Sequence, residues 1–427
     1  MNLFLLVKRP VCITLLFSLL MLLAFSAHAE QPLTLAETIK LATENQPLLQ
    51  SLDDAANSSR QAAVAEVQLA DPKLKLGVVN LPVTTADALR FNRDDQTAIN
   101  VGISQDIIPL KKRELASKKM EAEADQFHTE QISTARSIER DVALVWLDLF
   151  EAQRKFELYQ KMIDEMNAER KVLISRISSN GAQTSEVLTL DSKLSMTTDK
   201  YLTTQRDVKK AKANLARWIG EAAMRPVASE LPSMSNRLSR QDALREIEQH
   251  PLLQNAHLSE KIAQLDVDKA QADIQRNWGW EAAYGKRFAD RSDMLSFQIS
   301  MDLQLDRANR QDRRTAEKLV LVEKSHKLTE DRKRELASAL DNALADAELA
   351  EARENEHATR LIPNAEAMLK IAQAAYTSGK KSLSDVWEAR RGLLEVEIDH
   401  WSILTDQQRA TVQIGYLIND HRLFKEN

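Results

Sequence analysis

Two periodicities alternate along this chain, and the alternation runs through twice. From Thr34 to Ala70, Leu35, Ile39, Leu41, Leu48, Leu49 and Leu52 fall at helical spacing, before an alanine-rich run that ends at Asp71-Pro72. The period then becomes two. Leu74, Leu76 and Val78 alternate with Lys73, Lys75 and Gly77, and Ile99, Val101 and Ile103 alternate with Asn100, Gly102 and Ser104. Steps of three and four residues follow through Ile138, Val142, Val145, Leu149, Ala152, Phe156, Tyr159, Ile163 and Met166, and continue at Leu173 and Ile177. They return along Val187, Leu190, Leu194, Thr197, Tyr201, Val208, Ala211, Leu215 and Trp218. Such sustained steps predict coiled helices with a narrow seam. A helix from Leu110 to Ile177 would be roughly 100 Å long at 1.5 Å per residue.

The second half repeats this order. Asn45-Gln-Pro-Leu-Leu-Gln50 returns as Gln249-His-Pro-Leu-Leu-Gln254. Trp278, Trp280, Ala282 and Tyr284 alternate with small or polar residues, and from Leu295 to Leu305 every odd position is apolar. A helical pattern from Arg310 to Tyr376 has an alanine-rich seam (Leu336, Leu340, Ala343, Ala347, Ala350), with Pro363 expected to weaken or kink it. A last helix runs from Val386 to Leu417. The reading gives a first repeat over residues 30–220, a linker over 221–240 that holds Pro226 and Pro232, and a second repeat over 241–427.

Each long hairpin has a tip. In the second, Tyr376 to Glu388, Gly379 suits the left-handed position ending a helix, and Ser382 or Ser384 can cap the next. The first, Ser178 to Leu188, has Gly181 and Glu186 in place of Gly379 and Asp385, one residue closer together. Asp385 and Glu388 are three apart and share one helix face. They also fit first-turn acids that stabilise a helix N-terminus.

Composition narrows the setting. Lys8 and Arg9 precede an apolar run from Val11 to Phe25, and Ala27-His28-Ala29 has the form of a signal-peptidase site. The expected signal peptide is residues 1–29, with the mature chain beginning at Glu30. The single cysteine, Cys12, falls inside that leader, so no disulfide or thiolate site is expected afterwards. Losing Lys8 and Arg9 takes the formal charge from −5 to −7, which gives no footprint for nucleic acid. Past the leader, no stretch approaches the roughly 18 apolar residues of a membrane-spanning helix. We find no phosphate-binding Gly-Lys-Ser/Thr loop, no His-Glu-x-x-His and no Gly-x-Ser-x-Gly, so no enzyme activity and no cofactor are expected. The eight histidines form no close-spaced ligand set, and Met294, Met301 and Met368 are read as packing residues, so no metal site is expected.

The alternating segments are four strands of about 8 to 11 residues, the length that crosses a bilayer when tilted. Alternation alone also fits a small soluble sheet packed on helices. Against that, the neighbouring helices look narrow-seamed, and Trp278, Trp280 and Tyr284 suit an aromatic girdle at a membrane interface. Four strands cannot close a barrel, and an open edge is not tolerated in lipid. Spanning strands would therefore require at least a dimer, with cyclic symmetry the expected arrangement.

This order (helix, two strands, long hairpin, and again) resembles the TolC-type outer-membrane efflux protein family over essentially the whole mature chain. The most specific parts are the duplicated Pro-Leu-Leu helix, the junction Ile299 to Arg310 and the tip Tyr376 to Glu388. The resemblance implies a mostly α fold with a small β part: a long antiparallel coiled-coil helical tunnel in the periplasm, plus four strands per chain in a shared trimeric transmembrane β-barrel. It implies a homotrimer in outer-membrane lipid that meets a periplasmic adaptor protein and an inner-membrane pump. Tyr376 and Lys381 match positions that tie the inner hairpin to an outer one, with Ser185 and Glu186 as partners. Asp385 and Glu388 match the acidic positions ringing the tunnel's constriction. Lys381 stands where the family has arginine and loses forked geometry, and Glu388 stands for an aspartate. Asp71 to Pro82 and Gln105 to Arg113 look like the branch serving heavy-metal pumps of the resistance-nodulation-division type. A duct for drug efflux or type I secretion is the alternative, and a soluble periplasmic scaffold is the alternative of another class.

Overall fold

The computed structural model describes residues 32–44, 46–177, 183–232, 234 and 239–420. The expected leader, Gly181 in the first tip and part of the expected linker lie outside the described residues.

Each repeat opens on two short helices, not the single helix expected from Thr34 to Ala70. Thr34 caps α1 (Leu35–Thr43) by accepting the Glu37 N–H, and α2 (Pro47–Glu66) begins afresh at its proline. The proline ring disfavours helical backbone at the preceding residue, and Gln46 is accordingly extended at φ −70° and ψ 117°. The second repeat does the same with Ser239 capping α5 (Arg240–Ile247) and Pro251 opening α6 (Pro251–Ala272). There His250, fully buried, accepts the Leu252 N–H on Nδ1 at 3.2 Å. Its Nε2 therefore carries the hydrogen and donates to the Tyr416 carbonyl at 3.2 Å. This joins the start of α6 to the end of the chain.

The four strands, β1 (Lys73–Val79), β2 (Ala98–Ile107), β3 (Trp278–Arg287) and β4 (Met294–Met301), form one antiparallel sheet in the order β1-β2-β3-β4. Register aligns Leu74, Ile103, Ala282 and Phe297 across one face, and Leu76, Val101, Tyr284 and Leu295 beside them. No helix covers this apolar face, and Leu295 is 81% exposed. The opposite face carries small and paired polar groups. Lys73 meets Asp106 at 2.6 Å and Lys75 pairs with Glu281. That face is crowded: a Cβ on Gly102 would lie 2.9 Å from that of Ala283. We read it as the concave side of a curved sheet. Trp278 and Trp280 stand at the helical end of β3, whereas Tyr284 is nearer the far loops, so the three do not make one belt.

The helices form two long hairpins. α3 (Leu110–Ile177) and α4 (Thr184–Ile219) make the first; α7 (Gln311–Glu356), α8 (Ile362–Thr377) and α9 (Leu383–Leu417) make the second. α2 and α4 both pack on α3, α6 packs along α7, and α3 also touches α6 and α9, which joins the repeats. Among the described residues no helix is long and apolar enough to cross a membrane.

The narrow seam expected for α3 widens at mid-length. Besides Ile138, Val142, Leu149 and Ala152, its residues Trp146, Leu147 and Phe150 are fully buried. α1, the end of α4 with the chain that follows it, and α9 all converge there. Trp146 stacks on Phe150 at 5.5 Å and donates its indole N–H to the Leu33 carbonyl at 3.0 Å. Leu33 pairs in parallel with Val227, and the Met234 N–H donates to Gln408 of α9, so this connecting stretch runs across the outside of the hairpins.

Pro363 acts where expected, through an identifiable device. His357–Leu361 is a π-helical turn between α7 and α8, closed by the Ile362 N–H donating to the His357 carbonyl. The wider turn accommodates a proline that removes one N–H and crowds the turn before it.

Burial lowers the His250 pKa from 6.5 to about 4. Between those values the unfolded chain binds a proton that the folded chain refuses. The stability held by neutral His250 is complete above pH 6.5 and is lost as pH falls towards 4. We expect the thermal midpoint of the wild type to fall more steeply over this window than that of His250→Asn. Parallel curves would show that His250 does not titrate there.

Candidate functional site

The second tip has the predicted backbone. Gly379 sits at φ +70°, and its N–H donates to the Tyr376 carbonyl at 2.9 Å, which closes α8. Ser382, not Ser384, is the cap: its hydroxyl accepts the Asp385 N–H at 3.3 Å, and the Ser382 N–H donates back to Asp385 at 2.8 Å. Asp385 thus belongs to a capping box. The Ser382 hydroxyl and amide hold its carboxyl below the ordinary range, with Lys381 at 3.9 Å adding to this. Asp385 is therefore firmly ionised while remaining partly exposed.

Glu388, one turn on, is reached by Lys193 of α4 at 3.2 Å and is otherwise open to solvent. In the first tip the Gln183 N–H donates to Glu186 at 3.5 Å, and the Ser185 hydroxyl donates to the Gln183 side chain at 3.3 Å. A cavity of about 360 Å³ lies between the tips, with Ser185, Glu186, Lys193, Ser382, Ser384 and Glu388 among its lining. The structure therefore brings Ser185, Glu186 and Glu388 together within one chain. It leaves Tyr376, half-exposed at the end of α8, and Lys381, turned to Asp385, outside that lining.

Pattern reasoning passed over the ties that do cross between hairpins here. Arg390 of α9 donates to Glu165 of α3 at 2.7 Å, and Arg391 pairs with Glu169. Glu169 is only 3% exposed. Burial pushes its carboxyl above the ordinary range, against Arg391 and the Ser384 hydroxyl, which pull it down. Beside them Arg170 holds Asp191 of α4 at 2.5 Å. The signal was present in sequence. The α3 seam skips from Met166 to Leu173, and Glu169 stands three and four residues from those two, a charge in an apolar register. A carboxylate there needs a cation from the facing helix, and Arg390-Arg391 follows the tip by less than a turn.

Apolar packing surrounds these pairs: Met162, Met166 and Leu173 of α3, Val187 and Leu190 of α4, and Leu394 and Ile398 of α9. The tip is thus a shaped, charged end on a dry plug. Its chemistry is electrostatic: exposed carboxylates at the end, and ion pairs that fix one hairpin on the other. Among the described residues no group of three or more His, Cys, Asp or Glu side chains is arranged to hold a metal ion.

Removing one partner of a buried pair strands the other charge, at a cost of about 3–5 kcal/mol. Glu169→Gln and Arg391→Met should each speed proteolysis at the tip, and Glu169→Met with Arg391→Met should restore much of the resistance. Additive losses would mean that the two side chains do not act as a pair.

No protein-family model and no curated protein matches the chain. Solved structures do match it closely in fold. The CmeC outer membrane channel of Campylobacter jejuni superposes with a TM-score of 0.75 at 10% identity, covering 90% of this chain and 85% of that one. The outer membrane protein VceC of Vibrio cholerae gives 0.71 at 15% identity, with 90% and 95% covered. The MtrE outer membrane channel of Neisseria gonorrhoeae, crystallised in its open state, gives 0.70 at 14% identity, with 90% and 88% covered. Over nine-tenths of its length the chain has the fold of these outer-membrane channels, the fold expected from its resemblance to the TolC-type family.

Proposed function

We propose that this protein is the outer-membrane channel of a tripartite efflux system, conducting substrate passively from an inner-membrane pump and a periplasmic adaptor to the exterior. The observation that carries the reading is the sheet. Among the described residues its apolar face is bare, its other face is polar, and its outer strands β1 and β4 have no partner on their free edges. In lipid those edges must be paired. A homotrimer would give a closed twelve-stranded barrel and bring the helical hairpins around one tunnel. Uncovered apolar residues on α4 (Leu188, Met196, Leu202) and on the inner hairpin (Leu349, Met368, Ile371) support side-by-side packing of neighbouring copies.

In that assembly three copies of Asp385 and Glu388 place six carboxylates at the periplasmic end, a ring that favours cations. Tyr376 and Lys381 would latch the inner hairpin to a neighbour's first tip through Ser185 and Glu186, in addition to the buried pairs within each chain. The favoured cargo is heavy-metal cations, driven by a pump of the resistance-nodulation-division type. A transit path needs weak sites from which ions leave, so no resident metal and no enzyme activity are assigned.

Planar-bilayer recording tests this. The purified protein should form cation-preferring channels, and Asp385→Ala with Glu388→Ala should lower that preference severalfold. Failure of the wild type to conduct would contradict the channel reading; unchanged selectivity in the variant would remove the ring from it. In cells, deletion should lower tolerance to metal ions and spare tolerance to drugs. The reverse pattern would assign the protein to drug efflux.

A further inference from the structure

The π-helical turn His357–Leu361 faces α9 at one particular residue, His400. The two imidazoles lie nearly parallel, with planes at 14° and centroids 6.2 Å apart. Each has its Nδ1 buried with no hydrogen-bond partner among the described residues. Neither a seam position nor a tip residue accounts for this pair. We propose that His357 and His400 form an acid-sensitive hinge in the inner hairpin, which loosens α7 and α8 from α9 when the surrounding pH falls.

In the neutral pair each Nδ1 is a buried lone pair without a donor, a smaller cost than a stranded charge. Protonation at either Nδ1 creates a buried N–H with nothing to accept it, and a second proton sets two like charges side by side. Burial already holds His400 below the ordinary histidine value, and His357 adds to this.

The charged groups nearby do not offset it. On α7, Glu354 favours the charged form of His400, but Arg353 is turned to Asp406 of α9, and Glu356 pairs with Arg360 in the π turn. On α9, Glu397 acts on Arg390, while Asp399 acts on the Tyr159 phenol of α3. Glu354 alone opposes the effect, from one turn away.

The pair sits at an irregular turn of the hairpin. The π turn holds one residue more than an α turn, and Pro363 removes a hydrogen bond just beyond it. Separation there would release α8, which ends at Tyr376 in the tip. The outer membrane does not buffer the periplasm against external acid, so such a hinge would couple tip opening to the medium.

Hydrogen exchange read by mass spectrometry on the full-length protein tests the hinge without relying on conduction. After correction for intrinsic exchange, peptides over residues 355–363 should exchange roughly fivefold faster or more at pH 5.0 than at pH 7.5. In His357→Gln with His400→Gln the corrected rates at the two pH values should agree. Equal corrected rates in the wild type, or the same acceleration in the variant, would overturn the proposal. Should the double variant lose its helical circular dichroism, the single His400→Gln gives the comparison, since it removes the stacked pair and the ring whose charged form burial opposes.

Discussion

Everything in this fold follows from a sheet that cannot be finished by one chain. Among the described residues, β1 and β4 each leave a row of backbone N–H and C=O groups without partners, and the face between them is apolar and uncovered. Water could satisfy the edges but not the face; lipid could cover the face but not the edges. Closure with further copies in a membrane, as proposed above, would satisfy both. The helices would then have their places decided for them, leaving the sheet on one side and running as hairpins around the barrel axis.

The hairpins solve a second problem, which is how to cover long helices that each need partners. α3 is too long for one partner, so α2 and α4 share it, and in the second repeat α6 and α9 share the run of α7 and α8. Where such partners meet, the structure thickens. The fully buried Trp146 and Phe150, with Trp401 edge-on at 5.7 Å, mark that collar in the first repeat. His250 against Tyr416 marks it in the second. Below the collar, charge joins apolar packing as the link between hairpins, at Glu165–Arg390 and Glu169–Arg391. Apolar contacts tolerate sliding, whereas charge pairs at fixed heights set register.

Much of this was legible from periodicity, and the exceptions have physical reasons. The strand faces are legible because period two leaves no ambiguity about which side chains share a face, although β4 stops at Met301, short of the alternation's end at Leu305. The bounds of α3 were equally clear, since Pro109 and the first tip bracket an unbroken pattern. The break before Pro47 was lost because apolar residues keep helical spacing on both sides of it. Trp146 and Phe150 escaped because a seam drawn by threes and fours ignores positions that only a third or fourth neighbour buries. At the tip, residue chemistry showed a cap and a charged face. It could not show that Glu169, 222 residues before Arg391, is that arginine's partner. A charge inside an apolar register reveals that a partner exists, and only the folded chain says which one.

The central claim is that several copies close one barrel in the outer membrane. Native mass spectrometry of the protein extracted by detergent from outer-membrane fractions measures this directly. The account predicts a species of three chains that withstands detergent and separates on heating. A monomer recovered in the soluble periplasmic fraction, with no membrane-borne trimer, would contradict it.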